Sequence, residues 1–475
     1  MGRFKSKSIE TLCVQAGYEA KNGEPRITPL VQSTTYQYDS ADEVADLFDL
    51  KKARHMYSRI SNPTVGVLEE KISALEGGVG ALATSSGQAA TLLSILTICN
   101  HGEHLVAMNN LYGGTYTLLS STLKKLGIET TFVPVNASKE VIQAAIQDNT
   151  KLIFSETIGN PKVDVLDIER IAEVAHENNI PLFVDNTFAT PHLCRPFEFG
   201  ADIVIHSTTK YLDGHATSLG GLIVDSGKFD WTNGKFPHLT EKDPNYHGLS
   251  YTETFGNQAF ITKARVVFMR DFGTTMSPFN AFLTNLGAET LALRMARHSD
   301  NALKVAKFLE NHEKVDWVNY PLLESSKSYE LSKKYLKKGG SGVISFGVKG
   351  DLEDTKKFIN SLTLASLVVH VGDLRTHILH PASMTHRQLS KEQQLGAGIE
   401  ENMVRFSVGI EDVEVTADAV LAMQPADLSI GAHILKGYIS KISEADEQRK
   451  RIGVAVRSWK EDTEYREALA NVLSR

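Results

Sequence analysis

Short runs of branched apolar residues alternate with helical patterns through the middle of the chain. The apolar runs lie at 104–109, 129–135, 151–157, 181–187, 201–207 and 220–225. Helical patterns fall between several of them, near 115–126, 138–148 and 167–179. Uninterrupted apolar strands are typical of parallel sheets buried on both faces. The alternation therefore predicts an α/β fold with helices on both faces of a mostly parallel sheet.

The segments around this region differ from it in pattern. Residues 1–60 read as an irregular arm with one short helix near 40–50, and 226–256 is polar and aromatic, which predicts a long loop. A long helical stretch at 277–313 is typical of a domain connector. Strands at 342–348 and 403–409 predict a second domain, and the last fifty residues carry two amphipathic helical stripes.

The length of the chain, 475 residues, also favours several domains. We predict an N-terminal arm at 1–60, a large domain at 61–276, a small C-terminal domain at 277–425 and a helical extension at 426–475.

Composition excludes several classes of function. The net charge is −7, so no basic surplus exists to bind nucleic acid. No stretch approaches the length of a membrane span. The three cysteines, Cys13, Cys99 and Cys194, have no paired spacing. They predict a reducing cytoplasm and neither a disulfide framework nor a zinc site.

Polar residues gather where the predicted strands end. Ser86, Glu156, Asp185, Ser207 and Lys210 each fall at or just after a strand. In open α/β sheets, ligands bind beyond the carboxyl ends of the strands. We therefore expect these side chains to meet in one site.

Two of these residues suggest a specific chemistry. Asp185 lies in VDNTFATP and Lys210 in HSTTKYLDGH. A lysine can form a Schiff base with an aldehyde cofactor, nearby hydroxyls can hold a phosphate, and a carboxylate can keep a pyridine nitrogen protonated. These are the groups that pyridoxal 5'-phosphate (PLP) requires. The same segments also fit an ordinary strand and turn with a solvated lysine.

Other motifs fit an anion or a planar ring, each with a structural alternative. In TSSGQAAT, at 84–91, free amides at a helix start would cradle a phosphate, although Ser-Gly is also a common helix cap. Tyr112, among glycines, could stack on a ring or be a structural turn residue. Tyr57 and Arg59 could reach a phosphate or form a surface pair.

Four histidines raise the possibility of a metal site: His370, His377, His380 and His386. Their spacing is not that of a zinc helix, and Pro381 interrupts the segment. We expect structural histidines and no metal.

Taken together, the motifs resemble the cystathionine γ-synthase-like family of PLP enzymes in Cys/Met metabolism, which has fold type I. The resemblance runs from about residue 8 to 420 and rests on YSRISNPT, SSGQAA, LYGGTY, ETIGNP, VDNTFATP, HSTTKYLDGH, HPASMTH and RFSVGIED. It implies a large domain with a mostly parallel seven-stranded sheet and a smaller α/β C-terminal domain. The helices after about 425 are not part of the family pattern.

The resemblance also implies roles for residues. Lys210 would bind the cofactor covalently and move protons, with Tyr112 stacked on the ring and Asp185 at its nitrogen. Arg405 would hold the substrate carboxylate. Further cofactor contacts would come from Ser86, Gly87, Gln88, Ser207, Thr209, Thr187 and Asn160, and further substrate contacts from Asn160 and His370. His370 stands where the family usually has Ser or Asn, and Gln88 replaces the more usual Met.

Tyr57 and Arg59 would contact the phosphate in a neighbouring subunit. The resemblance thus implies a homo-oligomer, at least an obligate dimer, with a dimer of dimers, a homotetramer, expected.

Within the family the chain is most similar to the O-acetylhomoserine sulfhydrylases, in segments 243–265, 277–298 and 371–383. Methionine γ-lyases have a cysteine where this chain has Gly114. The implied reaction is γ-replacement on O-acetylhomoserine by sulfide or a small thiol. Two alternatives remain: a γ-lyase or cystathionine γ-synthase activity of the same family, and a non-catalytic PLP-fold binding protein.

Overall fold

A computed structural model describes residues 8–387, 390–396, 398–413 and 416. The strands in this part of the chain are β1 (Gly80–Thr84), β2 (His104–Met108), β3 (Glu129–Val133), β4 (Thr150–Glu156), β5 (Leu182–Asp185), β6 (Ile203–His206), β7 (Gly221–Asp225), β8 (Val315–Asn319), β9 (Val343–Val348), β10 (Ser366–Leu367), β11 (His377–Leu379) and β12 (Met403–Ser407).

The α-helices in the same part are α1 (Ile9–Gln15), α2 (Ala41–Phe48), α3 (Pro63–Glu76), α4 (Gly87–Ile98), α5 (Gly113–Thr117), α6 (Leu123–Lys125), α7 (Lys139–Ala145), α8 (Ile168–Glu177), α9 (Thr190–Leu193), α10 (Pro237–Thr240), α11 (Tyr251–Phe255), α12 (Ala259–Lys263), α13 (Arg270–Phe272), α14 (Pro278–Glu289), α15 (Leu291–Glu310), α16 (Tyr329–Tyr335), α17 (Leu352–Ser361) and α18 (Lys391–Gly396).

The large sheet has seven strands in the order β1-β7-β6-β5-β4-β2-β3. Strands β6, β5, β4, β2 and β3 pair in parallel, and β7 runs antiparallel to both of its neighbours. Because parallel strands end at the same edge, the residues that follow β4, β5 and β6 come together there. This edge positions the site described below.

Both faces of the large sheet are buried, which explains the uninterrupted apolar runs. In β5, Leu182 and Val184 belong to one hydrophobic cluster and Phe183 belongs to the other. Successive side chains on a strand point to opposite faces, so all three positions must be apolar. Full burial of such a side chain stabilises the fold by roughly 1.5–3 kcal/mol.

The second sheet has the order β10-β11-β12-β9-β8 and is antiparallel except between β10 and β11. The predicted fold class is therefore confirmed: a mostly parallel seven-stranded sheet is accompanied by a smaller second sheet. Strand β12 brings Arg405 into this sheet, and His370 lies in the connection between β10 and β11.

Helix α3 shows how local sequence sets its own ends. The side chain of Asn62 accepts hydrogen bonds from the amides of Thr64 and Val65, and Pro63 occupies the first helical position. Gly77 ends the helix in the left-handed conformation, at φ 83°, which favours glycine. The residues at both ends of α3 therefore set its bounds.

Other segments differ from the prediction. The expected long helical stretch at 277–313 divides into two helices, α14 and α15, because Thr290 leaves helical geometry at φ −102° and ψ 7°. The N-terminal arm contains α1 as well as the expected helix near 40–50. Strands β8, β10 and β11 had no clear sequence pattern.

The expected loop at 226–256 contains α10, α11 and a 3-10 turn at Pro244–Tyr246. Its aromatic residues explain the difference, because Trp231, Phe236 and Tyr251 are buried in the core. The segment is therefore packed and ordered by its aromatic side chains.

The predicted helical extension at 426–475 lies outside the described residues, and the predicted domain boundaries stay predictions. Across the residues that the structure does describe, every helix is too short or too polar to traverse a lipid bilayer.

Candidate active site

A cavity of about 230 Å³ opens where the carboxyl ends of the large-sheet strands face β12 and the segment before β11. It is the place where most of the predicted site residues meet. The predicted residues that line it are Ser86, Gly87, Gln88, Tyr112, Asn160, Asp185, Thr187, Ser207, Thr209, Lys210, His370 and Arg405.

The start of α4 offers an anion cradle at one end of this cavity. Ser86 caps the helix: its Oγ accepts from the amide of Ala89 at 3.1 Å, and its carbonyl accepts from Ala90. The first amides of a helix have no partner within the helix, so those of Gly87 and Gln88 point outward. Together with the helix dipole of this 12-residue helix, they favour a phosphate.

Glycine is needed where this cradle meets the turn after β6. A Cβ on Gly87 would lie 2.7 Å from the Cβ of Ser207, and a Cβ on Gly221 would lie 2.2 Å from the carbonyl oxygen of Ser86. The absence of side chains at both positions lets the Ser207 hydroxyl approach the helix start.

Two threonines support this wall of the cavity. The Oγ1 of Thr187 accepts from the amide of Ser207 at 2.8 Å. The Oγ1 of Thr209 exchanges hydrogen bonds with the backbone of Gly220, at 3.2 and 3.1 Å. These bonds fix the turn that carries Ser207 and Lys210.

Asp185 ends β5 with its carboxyl in the cavity. Its Oδ1 accepts from the amide of Thr187 at 2.9 Å. Burial raises the pKa of this carboxyl, while the hydrogen bonds from Thr187 and the charge of His206 lower it. The carboxylate is thus placed to pair with a cationic ring nitrogen.

Lys210 reaches the cavity from the turn after β6. Its Nζ lies 3.4 Å from Nδ1 of His370. Burial, followed by the charge of Arg405, lowers the pKa of Lys210 to about 8. An amine with this pKa is neutral often enough near neutral pH to act as a nucleophile or a base.

Arg405 lies buried on β12 and lines the same cavity as Lys210. Its Nη1 donates to Oδ1 of Asn160 at 3.1 Å, and its Nη2 donates to the carbonyl of His370 at 2.8 Å. Burial lowers the pKa of Arg405 to about 10, so the group stays cationic at neutral pH. A guanidinium held in this way is suited to a carboxylate.

His370 contributes both its backbone and its ring. Burial, together with the charge of Lys210, lowers the pKa of His370 to about 4, so the ring is neutral at pH 7. Its Nε2 has no hydrogen-bond partner among the described residues. The ring of His377 lies beside it, with centroids 5.7 Å apart.

Tyr112 lies over the cavity, with 43% of its surface exposed. Its amide donates to Oε1 of Glu156 at 2.7 Å. A Cβ on Gly114 would lie 2.5 Å from Cε1 of the Tyr112 ring, so a larger residue there would displace the ring. Glycine at 114 thus sets the position of Tyr112.

Glu156 is a site residue to which sequence reasoning assigned no role. It is buried, lines the cavity and holds the backbone of Tyr112. Burial, together with the charge of Asp185, raises the pKa of Glu156 well above its usual value. Its place at a strand end was the available signal, but its partner lies 44 residues away.

Tyr57 and Arg59 do not line the cavity within the described part of this subunit. Both are exposed, and Arg59 donates to the carbonyl of Arg270. The guanidinium carbon of Arg59 lies 5.4 Å from the centre of the Tyr57 ring. The pair therefore faces outward from the chain that carries it.

The remaining predicted histidines have local partners. His377 Nδ1 contacts the carbonyl of Arg375 at 2.9 Å, and His380 contacts Ser383 Oγ and the carbonyl of Glu401, each at 2.8 Å. Over the described residues, no three His, Cys, Asp or Glu side chains gather as a metal ion would require.

The donor set of the cavity fits PLP. Outward amides at the start of α4 and the Ser207 hydroxyl suit a phosphate, and the Asp185 carboxyl suits a pyridine nitrogen. Lys210 supplies an amine of lowered pKa at the same cavity. The close approach of Gly87 to Ser207 shapes a concave anion site between them.

The sequence is similar to those of known proteins. The chain is 48% identical over 415 residues to an O-acetyl-L-homoserine sulfhydrylase of Leptospira meyeri, an alignment that covers 85% of this chain and 94% of the relative. It is 46% identical to a homocysteine synthase of Schizosaccharomyces pombe, which covers 89% of this chain and 99% of the relative.

A crystal structure from Campylobacter jejuni, with N'-pyridoxyl-lysine-5'-monophosphate in its chain, superposes with a TM-score of 0.85. It is 36% identical in sequence and covers 88% of this chain and 100% of its own. The family model of the Cys/Met metabolism PLP-dependent enzymes matches residues 10–424. The chain therefore belongs to the family of Cys/Met metabolism PLP-dependent enzymes.

Proposed function

We propose that the protein catalyses γ-replacement on O-acetyl-L-homoserine, with sulfide or a small thiol as the nucleophile. The products are L-homocysteine or L-methionine, and acetate. The relatives from Leptospira and Schizosaccharomyces, an O-acetyl-L-homoserine sulfhydrylase and a homocysteine synthase, support this choice of substrate and product.

The observation that carries the proposal is that Arg405 and Lys210 line one cavity. Arg405 would bind the α-carboxylate of an amino acid, because its guanidinium is buried, charged and oriented by Asn160 and His370. The substrate's Cα would then lie toward Lys210. His370 would border the substrate at the same end, since its ring lies beside Lys210.

The cofactor would be held by groups whose geometry suits each of its parts. The amides of Gly87 and Gln88 and the hydroxyls of Ser207 and Thr209 would bind the phosphate. Asp185 would pair with the ring nitrogen. Ser86 and Thr187 would support these contacts through the hydrogen bonds described above, Tyr112 would stack on the ring, and Asn160 would lie near its phenolic oxygen.

PLP, when bound, supplies an electron sink for the electron pair left when the proton leaves Cα. The Nζ of Lys210 would accept that proton, and its lowered pKa makes the neutral amine available. A second proton is removed from Cβ as acetate leaves Cγ with the electrons of its C–O bond. Sulfur then forms the new bond at Cγ, and the two carbons regain their protons.

The subunit arrangement is part of the proposal. Tyr57 and Arg59 face outward in their own chain, so they would complete the phosphate site of a neighbouring subunit. A homodimer is then the minimum active unit, and two such dimers would form a homotetramer.

We place the enzyme in the cytoplasm. Cys13, Cys99 and Cys194 are all free and buried, which suits a reducing compartment.

The test is a product analysis of the purified, PLP-loaded protein. With O-acetylhomoserine and sulfide, we expect homocysteine and acetate in equal amounts. O-Succinylhomoserine should react much more slowly than O-acetylhomoserine. It should also cause a smaller change in the cofactor absorption at about 420 nm. Release of 2-oxobutanoate and ammonia as the main products would instead identify a γ-lyase and contradict the proposal.

A further inference from the structure

A fully buried acid and histidine lie directly behind the cofactor wall. Oε1 of Glu76, in the last turn of α3, accepts from Nε2 of His206 at 2.7 Å and from Nδ2 of Asn186 at 2.9 Å. The side chains of Glu76 and His206 are both 0% exposed. Glu76 therefore links the ends of β5 and β6, where Asn186 and His206 lie.

Both partners adjoin residues of the site. Asn186 follows Asp185 directly, and His206 precedes Ser207. Asn186 is held further by its amide, which donates to the carbonyl of Ile205 at 2.8 Å. A change at Glu76 would thus act on two strand ends that carry cofactor-facing side chains.

Stability alone does not account for the pair. A buried ion pair loses the hydration of both groups and is often no more stable than an apolar replacement. Here Oε2 of Glu76 and Nδ1 of His206 also lack hydrogen-bond partners among the described residues, which adds a penalty. The arrangement calls for another role.

That role is electrostatic support for Asp185. Burial raises the pKa of Asp185, the hydrogen bonds from Thr187 oppose this rise most strongly, and the charge of His206 adds to their effect. Glu156 on β4 is the register partner of Asp185, and a negative charge on Glu156 would act in the opposite direction. Around Glu76 itself lie the thiol of Cys194 and the guanidinium of Arg195, whose Nε donates to the Glu76 carbonyl at 3.2 Å.

We propose that Glu76 and His206 form a positioning pair that keeps the Asp185 carboxylate ionised and in place for the ring nitrogen of PLP. Oε1 of Glu76 accepts a hydrogen bond from Nε2 of His206 and so holds the His206 ring, whose electrostatic effect lowers the pKa of Asp185. This inference rests on the role of Asp185 in the proposed function. Neither Glu76 nor His206 lines the cavity, so both act through Asp185 and do not touch the cofactor.

The test measures the affinity of the apo-protein for PLP by equilibrium dialysis between pH 6 and 8.5. In Glu76→Gln, the carboxylate is lost at nearly constant shape. We expect PLP binding to weaken about tenfold for each unit by which the pKa of Asp185 rises. The loss of PLP affinity should grow as the pH falls, because Asp185 in the variant becomes protonated at a higher pH than in the wild type.

Glu69→Gln is the matched control. Glu69 lies on the same helix, is buried, and pairs with Arg265 at 2.7 Å, away from Asp185. Its replacement should leave the pH dependence of PLP binding unchanged. The two residues act as one unit, so their substitutions should not add. The double variant Glu76→Gln/His206→Gln should therefore have about the same affinity for PLP as the single variant with the lower affinity.

The inference is wrong if folded Glu76→Gln binds PLP as the wild type does at every pH, or if its loss is independent of pH and equal to that of Glu69→Gln. If Glu76→Gln does not fold, the same measurement is made on His206→Gln, in which Asn186 still donates a hydrogen bond to Glu76. PLP affinity is read without any amino-acid substrate. A failure to form homocysteine would therefore contradict the proposed function, whereas the measured PLP affinities would still test the role of Glu76 and His206.

Discussion

Glu156 and Asp185 lie opposite each other on neighbouring parallel strands, as a register pair of β4 and β5. Both carboxyls are shielded from water, but Asp185 accepts hydrogen bonds from Thr187, while Glu156 accepts one from the amide of Tyr112. The pKa of Glu156 is raised well above its usual value, by burial and then by the charge of Asp185. Burial raises the pKa of Asp185 as well, but the hydrogen bonds from Thr187 lower it, so Glu156 is the group of the pair that holds a proton more readily.

Glu156→Gln should stabilise the apo-protein, and this gain in stability over the wild type should be larger at higher pH. With a raised pKa, folded Glu156 keeps a proton that the unfolded chain releases above its ordinary pKa of 4.5. This group therefore lowers stability progressively as the pH rises through its folded pKa, and glutamine does not titrate.

We expect the melting temperature of Glu156→Gln to exceed that of the wild type by a few degrees at pH 8 and by much less at pH 5. A change of about 1 kcal/mol moves the melting temperature by roughly 2–4 °C in domains of 150–250 residues. Glu69→Gln, which breaks a paired carboxylate, should lose stability instead. A difference between wild type and Glu156→Gln that is constant with pH would contradict the assignment.

The rate at which the apo-protein captures PLP should follow the titration of Lys210. Only the neutral amine attacks an aldehyde, and the pKa of Lys210 is lowered from 10.5 to about 8. The rate should therefore rise about tenfold per pH unit below 8 and level off above it. Stopped-flow absorbance on mixing with PLP measures it.

Arg405→Gln provides the control for this profile. The charge of Arg405 contributes to the lowered pKa of Lys210, so its removal should move the midpoint of the profile to higher pH. Lys210→Ala should show no covalent capture at any pH. A wild-type profile that still rises steeply above pH 9 would contradict a pKa of about 8 for the Lys210 amine.

The sequence could predict the strand-end residues but not the groups behind them. Asp185 ends β5, and Ser207 and Lys210 lie in the turn after β6, so their position at the sheet edge follows from the alternation of strands and helices. Glu76 stands in the last turn of a helix, where an acidic residue is ordinarily solvated. Its burial depends on packing against His206, 130 residues away.

Two of the missed strands, β8 and β10, have a related cause. Strands β8 and β10 are the two edges of the second sheet, and β10 has only two residues, both exposed. An edge strand with one open side does not need a continuous apolar run. Such strands are specified by their neighbours and leave little pattern in the sequence.

Arg405→Lys should separate substrate binding from cofactor binding. Lysine keeps the charge near Lys210 but cannot bond Asn160, the His370 carbonyl and a carboxylate with a planar fork. We expect KM for O-acetylhomoserine to rise about 10–100-fold, as the loss of one or two charge-assisted hydrogen bonds implies. The affinity for PLP, measured by dialysis, should stay near the wild-type value. A parallel loss of PLP affinity would indicate a general disruption of the site.

Subunit mixing tests whether Tyr57 and Arg59 act in the neighbouring site. Lys210→Ala and Arg59→Ala should each be nearly inactive alone, because one removes the amine and the other a phosphate contact. In co-expressed hybrids, one site carries both changes and the other carries neither. Random pairing makes half of the dimers hybrid, with one of two sites intact, so about a quarter of wild-type activity should return if no coupling exists between sites. Co-expressed Lys210→Ala and Asp185→Ala, whose sites lie in one chain, should show no recovery. No recovery in the first mixture would place Arg59 in the site of its own subunit and remove the argument for an obligate dimer.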